Sequence, residues 1–223
     1  MARPTINYRH LTLAIKYASV LFPFDVALFL RSLSKEGFML PESTGPVPQV
    51  PLGRKLEGKI NMMKGDVSVR VDTERYILVV QALDVGDVLA EMDTIESLLR
   101  NEFGLDNPNL AHYYEFVAGF TIRAEKNPME SWYNHFGQAP LVREFSEALG
   151  MNVSPFGIRL SVREEPPNQV DWFEIRFEPL IQSATTHHMV EVVFRNSLRD
   201  KVFDFAEKFE DSVYSLVSLV DQG

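Results

Sequence analysis

In the stretch WFEIRFEPL, Trp172 to Leu180, the residues Glu174, Arg176 and Glu178 recur at every second position. That spacing puts all three on one face of a strand, with Phe173, Ile175 and Phe177 on the other. Charges ranged this way have three chemical uses. A guanidinium offers forked donors to a carboxylate or phosphate ligand, a carboxylate pair can serve as acid and base, and opposite charges on neighbouring strands neutralise one another on a wet surface. The candidate ligand-binding set is Arg70, Arg159, Glu174, Arg176 and Glu178, with Arg70 of VSVRVD matching Arg176 of FEIRFE. The plainest reading is the third: Arg159, Arg163, Glu174, Arg176, Glu178, Glu191 and Arg195 form a solvated lattice that needs no ligand.

Other chemistry is thinner. His187 and His188 are adjacent, and adjacent strand residues face opposite ways, so they do not readily chelate one metal. No H-E-x-x-H spacing is present. Glu164 with Glu165, or Glu174 with Glu178, would be an acid and base pair only beside a cleft or a nucleophile. The phosphate-cradling patterns G-x-x-x-x-G-K-[ST] and G-x-G-x-x-G are missing, as is the G-x-S-x-G elbow. We therefore expect no catalytic residue, no metal and no cofactor.

Composition narrows the classes further. The 223 residues are 45% hydrophobic and 24% charged, as in an ordinary globular chain. The 22 basic and 31 acidic residues leave a net charge of -9, which opposes free binding to nucleic acid or anionic membrane. Without cysteine there is no disulfide, thiolate metal site or cysteine nucleophile. The N-terminal MARPTINYRHLTLAIKY has too short an apolar run for a signal peptide, and no stretch nears 18 apolar residues. The expected location is cytoplasmic.

The elements that must position these residues are written nearly twice. Residues 8 to 20 alternate as a strand, and FDVALFLRSLSKEG has helical spacing with a Gly37 stop. The proline-rich Pro41 to Gly53 reads as an extended loop. GKINMMK, DVSVRVD and YILVVQALD are strands, and VGDVLAEMDTIESLLRNEF is a helix ending at Gly104. YYEFVAGFTIRAEKNP then lies over RHLTLAIKYASVLFP with Pro128 on Pro23. REFSEALGMNVSP, GIRLSVREE, FEIRFE, HMVEVVFRN and the long LRDKVFDFAEKFEDSVYSLVSLV follow in the order of the first half.

The expected fold is therefore α+β, in two pseudo-repeated halves of strand, helix, three strands and helix. Residues 1–110 and 111–223 form one compact unit with an antiparallel sheet and helices on one face. The aromatic segment 128–140, with Trp132, Tyr133, His135 and Phe136, is inserted in the second half only; its plain reading is a short helix burying aromatics. The layout is similar in outline to duplicated helix-on-sheet folds such as the saddle of the TATA-binding protein, a likeness of outline without a shared sequence motif that warrants no function.

The function expected is a non-catalytic intracellular binding or interaction protein. Its partner would be a small anion or another protein, with a homodimer through the C-terminal helix as one arrangement. The alternatives are a nucleic-acid-binding module using the polar sheet face, suggested by layout and opposed by charge, and a hydrolase or transferase using sheet-face carboxylates.

Overall fold

In a computed structural model of the protein, residues 4–19, 22–41, 58–105, 110–163 and 170–222 are described. The first half runs β1 (Ile6–Tyr17), α1 (Val26–Lys35), β2 (Lys59–Lys64), β3 (Val67–Asp72), β4 (Ile77–Ala82) and α2 (Val85–Phe103). The second runs β5 (Ala111–Arg123), α3 (Pro128–Phe136), α4 (Pro140–Leu149), β6 (Ile158–Ser161), β7 (Trp172–Pro179), β8 (His187–Asn196), α5 (Arg199–Glu207) and α6 (Phe209–Asp221). All but Pro41 of the proline-rich loop, and Glu164 and Glu165, lie outside the described residues.

The chain is α+β, with one eight-stranded sheet in the order β2-β3-β4-β1-β5-β8-β7-β6. Every ladder is antiparallel. Alternation decides which strand face is buried: Leu11, Leu13 and Ile15 of β1, Phe116, Ala118 and Phe120 of β5, and Ile175 and Phe177 of β7 join helix residues in one apolar cluster. The other face is the open one. Asp25 starts α1 by accepting from the Leu28 amide at 3.0 Å, and Asp84 starts α2 through the Asp87 amide at 3.1 Å, each satisfying an amide that has no partner within its own helix.

Three expectations need correction. The first strand spans Ile6–Tyr17 rather than 8 to 20. The single closing helix is two, of 9 and 13 residues, broken at Lys208. α5 covers β5 and β8 whereas α6 runs against α3, and a straight helix could not follow both surfaces. The inserted segment forms a short helix but buries only one of its aromatics: Trp132 is fully buried and edge-on to Phe177 at 5.4 Å, whereas Tyr133, His135 and Phe136 are exposed, because Trp132 lies on the face turned to the sheet.

Candidate functional site

Four of the five predicted charged residues come together on the open face at one end of the sheet. Register sets Arg159 beside Arg176 and Ser161 beside Glu174 across β6 and β7. Arg159 donates to Glu174 at 2.8 Å. Arg176 grips Glu178 with Nε and a terminal nitrogen, both at 2.8 Å, and lies 3.8 Å from Glu191 of β8. Arg195 pairs with Glu115 and lies over the Tyr113 ring at 4.4 Å. Arg70 is not part of this group. It stands on β3, with β4, β1, β5 and β8 between it and β7.

His187 and His188 face opposite ways. His187 bonds Thr186 Oγ1 at 2.9 Å on the open side. His188 is fully buried, its Nε2 3.4 Å from Asp221 Oδ1, and Asp221 also accepts the Glu125 amide at 2.8 Å. Burial lowers the His188 pKa from its ordinary value, against the pull of Asp221. Among the described residues no three His, Asp or Glu side chains gather as a metal site.

A second polar constellation lies under the helices, where the halves meet. Tyr114 of β5 hydrogen-bonds Glu96 of α2. Glu96 also accepts from Arg199 Nε, at the start of α5, at 2.6 Å. Arg199 reaches Asp93 as well and covers the Phe203 ring at 3.6 Å. Burial raises the Glu96 carboxyl above its ordinary value, with Arg199 opposing, and burial together with Glu96 pushes Tyr114 up to about 12. These groups border a cavity of about 220 Å³ lined also by Ile15, Tyr17, Leu99, Arg100, Leu105, Leu110 and Ala111. At the other end of the same seam Tyr8 of β1 donates to Glu210 of α6 at 2.8 Å. Each central strand thus sends a tyrosine to a glutamate on a helix of the other half.

Sequence reading passes over this cluster because its members are far apart in the chain and look ordinary singly. One signal was available: Glu96 sits between Ile95 and Leu99 at the edge of an apolar helical stripe, where a carboxylate must find a partner.

A third feature is apolar. Helix α4 has no buried residue, and Leu141, Phe145 and Leu149 are 59%, 53% and 59% exposed. They recur every fourth residue along one stripe. Phe156, Leu160 on the helix side of β6, and Ile181 after β7 are exposed in the same half. β6 is the last strand of the sheet.

Fold and sites together define an α+β sheet protein with helices on one face, and no helix among the described residues is long and apolar enough to cross a membrane. No model of a known protein family matches the chain, and no curated protein matches it.

Proposed function

We propose that the chain is a non-catalytic interaction protein of two equivalent halves, residues 1–110 and 111–223, whose second half docks another copy of itself through the β6–α4 edge. The observation that carries the docking is α4, an amphipathic helix with an apolar stripe and no buried residue. Contiguous exposed apolar surface of this kind marks interaction sites.

Equivalence of the halves is supported by the ladders. Laid over each other as the sequence suggests, Leu13 falls on Ala118 and Val80 on Val192. Both Leu13↔Val80 and Ala118↔Val192 are partners. Arg70↔Val79 falls likewise on Arg176↔Glu191. The match slips by one residue at the edge, where Arg159 rather than Leu160 stands opposite the arginine, as Asn61 does in the first half. The crossed bonds Tyr8–Glu210 and Tyr114–Glu96 add to this support.

Backbone geometry favours a second copy as the occupant. Val162 donates to Phe173 across the β6–β7 ladder, so by alternation Arg159 and Ser161 turn their backbone groups outward. Antiparallel pairing of β6 with its copy about Leu160 sets Arg159 against the copy's Ser161 and Leu160 against its own equivalent. No like charges meet, and the two α4 stripes come to the same side. The β1–β5 seam already joins the halves in this antiparallel manner. The C-terminal helix offers less, because its outward positions include Ser212, Ser215 and Ser218. The carboxylates Glu174 and Glu178 are each held by an arginine, which supports a charge lattice over acid and base chemistry.

Sedimentation equilibrium tests this reading. We expect a dimer at micromolar concentration that Phe145→Glu converts to monomer. Ser161→Pro should do the same without unfolding the chain, since an outward amide makes no bond in the monomer. A monomeric parent, or a dimer that survives both substitutions, overturns the proposal.

A further inference from the structure

We propose that the open face of the sheet docks an acidic, extended segment of a partner protein, along a track from Lys59 and Arg70 to Arg9 and Arg123. The carboxylates of this face are already engaged: Glu115, Glu174 and Glu178 each with an arginine, Glu191 beside Arg176, and Asp72 with two turn amides. The cations are in surplus. Lys59, Arg70 and Arg123 are exposed and meet no carboxylate among the described residues. Arg9 reaches only the Met189 sulfur, at 3.5 Å, and Lys16 a carbonyl and the Tyr76 ring. An anion docking there gains the attraction of these groups without breaking an existing pair, although the chain as a whole carries a net charge of -9.

Register makes the surplus a track. Lys59 stands opposite Asp72, whose carboxylate turns away to the amides, and Arg70 stands opposite Asn61. Ser68, Gln81 and Thr12 follow side by side across β3, β4 and β1. They are uncharged, none is buried, and their side chains make no hydrogen bond among the described residues. Arg9 is the extra residue of the bulge between Tyr8 and His10, and Arg123 ends β5. At about 4.8 Å between strands and 3.3 Å per residue along them, the diagonal from Lys59 to Arg123 spans roughly 35 to 40 Å, the reach of about twelve extended residues. Such a segment sets carboxylates on the cations at both ends and backbone groups on the row of Ser68, Gln81 and Thr12. A single-stranded nucleic acid fits the face less well. Its bases need exposed aromatic rings to stack on, and here Tyr113 lies under Arg195 at 4.4 Å and Trp172 is buried.

Pairing of β6 with its copy extends the sheet and leaves this face open, so the track stands or falls apart from the dimer. The probe is a fluorescein-labelled twelve-residue peptide alternating Glu and Ser. A peptide alternating Gln and Ser and a twelve-nucleotide oligothymidylate serve as comparisons, each followed by fluorescence anisotropy against the full chain. We expect the acidic peptide to bind at micromolar concentration in low salt and to weaken as salt is added. Arg70→Gln and Arg123→Gln should each weaken it about two- to fivefold, the loss of one exposed charge contact, and the factors should multiply in the double variant. Lys201→Gln, at an exposed position of α5, removes the same charge away from the face and should leave binding unchanged. No binding of the acidic peptide, equal binding of the Gln peptide, an equal loss in Lys201→Gln, or tighter binding of the oligothymidylate would each overturn the inference.

Discussion

Helices α1 and α4 are both ten residues long, and each precedes the outer hairpin of its half. Yet α1 buries Phe29, Leu30, Ser32 and Leu33, and α4 buries nothing. Intrinsic amphipathicity does not explain the difference, since both carry an apolar stripe. What differs is the helix in between. Only the second half has α3, which packs on β7 through Trp132 and Phe177. The outer edges differ in parallel: Met39 bridges Met63 on β2, while no such bridge closes β6 among the described residues.

The largest expected effect tests that contrast directly. Leu33→Ala removes a core side chain of α1 and should cost about 2 to 5 kcal/mol, the transfer free energy plus the cavity left behind. Phe145→Ser on α4 should change the stability of the monomer by no more than about 0.5 kcal/mol. Urea unfolding at a concentration below dimer formation measures both. A loss at Phe145 approaching that at Leu33 would mean that α4 is docked in solution, and the comparison would fail.

The same contrast shows how far the sequence could be read. Strict alternation in β1, β3, β5 and β7 identified strands and their buried faces, because one buried sheet face requires it. FEIRFE was legible in this way, down to the direction of each side chain. What alternation does not carry is the placing of helices against one another. The apolar positions from Val202 to Val220 keep one spacing through Lys208, so the break between α5 and α6 left no mark; α6 packs against α3, over seventy residues away. Leu141, Phe145 and Leu149 likewise look the same in sequence whether covered or displayed. The cavity was hidden for a related reason, since Tyr17, Glu96, Tyr114 and Arg199 meet only where the two halves join.

A smaller effect separates the halves by acid. The sequence lays His188 over Tyr76 of the first half, and histidine is the side chain whose ordinary range lies near neutrality. Burial holds the folded His188 pKa below its ordinary 6.5, with Asp221 and His187 the charged groups acting on it. As pH falls below about 6.5 the unfolded chain takes up this proton first. Stability is therefore full above that pH and declines below it, through the window down to the folded pKa. Hydrogen exchange should show β8, α3 and α6 losing protection before β3 and β4 as the pH falls from 7 to 5. His188→Gln should remove that part of the slope. Uniform loss across both halves would place the acid sensitivity elsewhere.

The smallest effect concerns two arginines that the sequence lays over each other and that differ in what surrounds them. Opposite Arg70 stands Val79, whereas opposite Arg176 stands Glu191. Two residues on, Asp72 turns its carboxylate to the Glu74 and Arg75 amides at 3.2 and 3.0 Å, and so caps a turn instead of meeting Arg70. Glu178 in the same place grips Arg176 with both oxygens. Arg70 makes no hydrogen bond or ion pair among the described residues, and Arg70→Ala should fall within about 0.5 kcal/mol of the parent. The Arg176 side chain is 47% exposed and that of Glu178 11%, so water reaches the guanidinium but the carboxylate is left poorly solvated once it is gone. Arg176→Ala should therefore cost more than Arg70→Ala, about 1 kcal/mol, well short of the roughly 3 to 5 kcal/mol of a broken buried pair. Thermal unfolding of the parent and both variants, with and without phosphorylated and carboxylated metabolites, distinguishes a lattice from a binding site. On a lattice, the metabolites stabilise all three proteins equally or not at all, because the charges around Arg176 already have partners within the sheet. An anion that stabilises the parent and not Arg176→Ala would instead make Arg176 a ligand anchor.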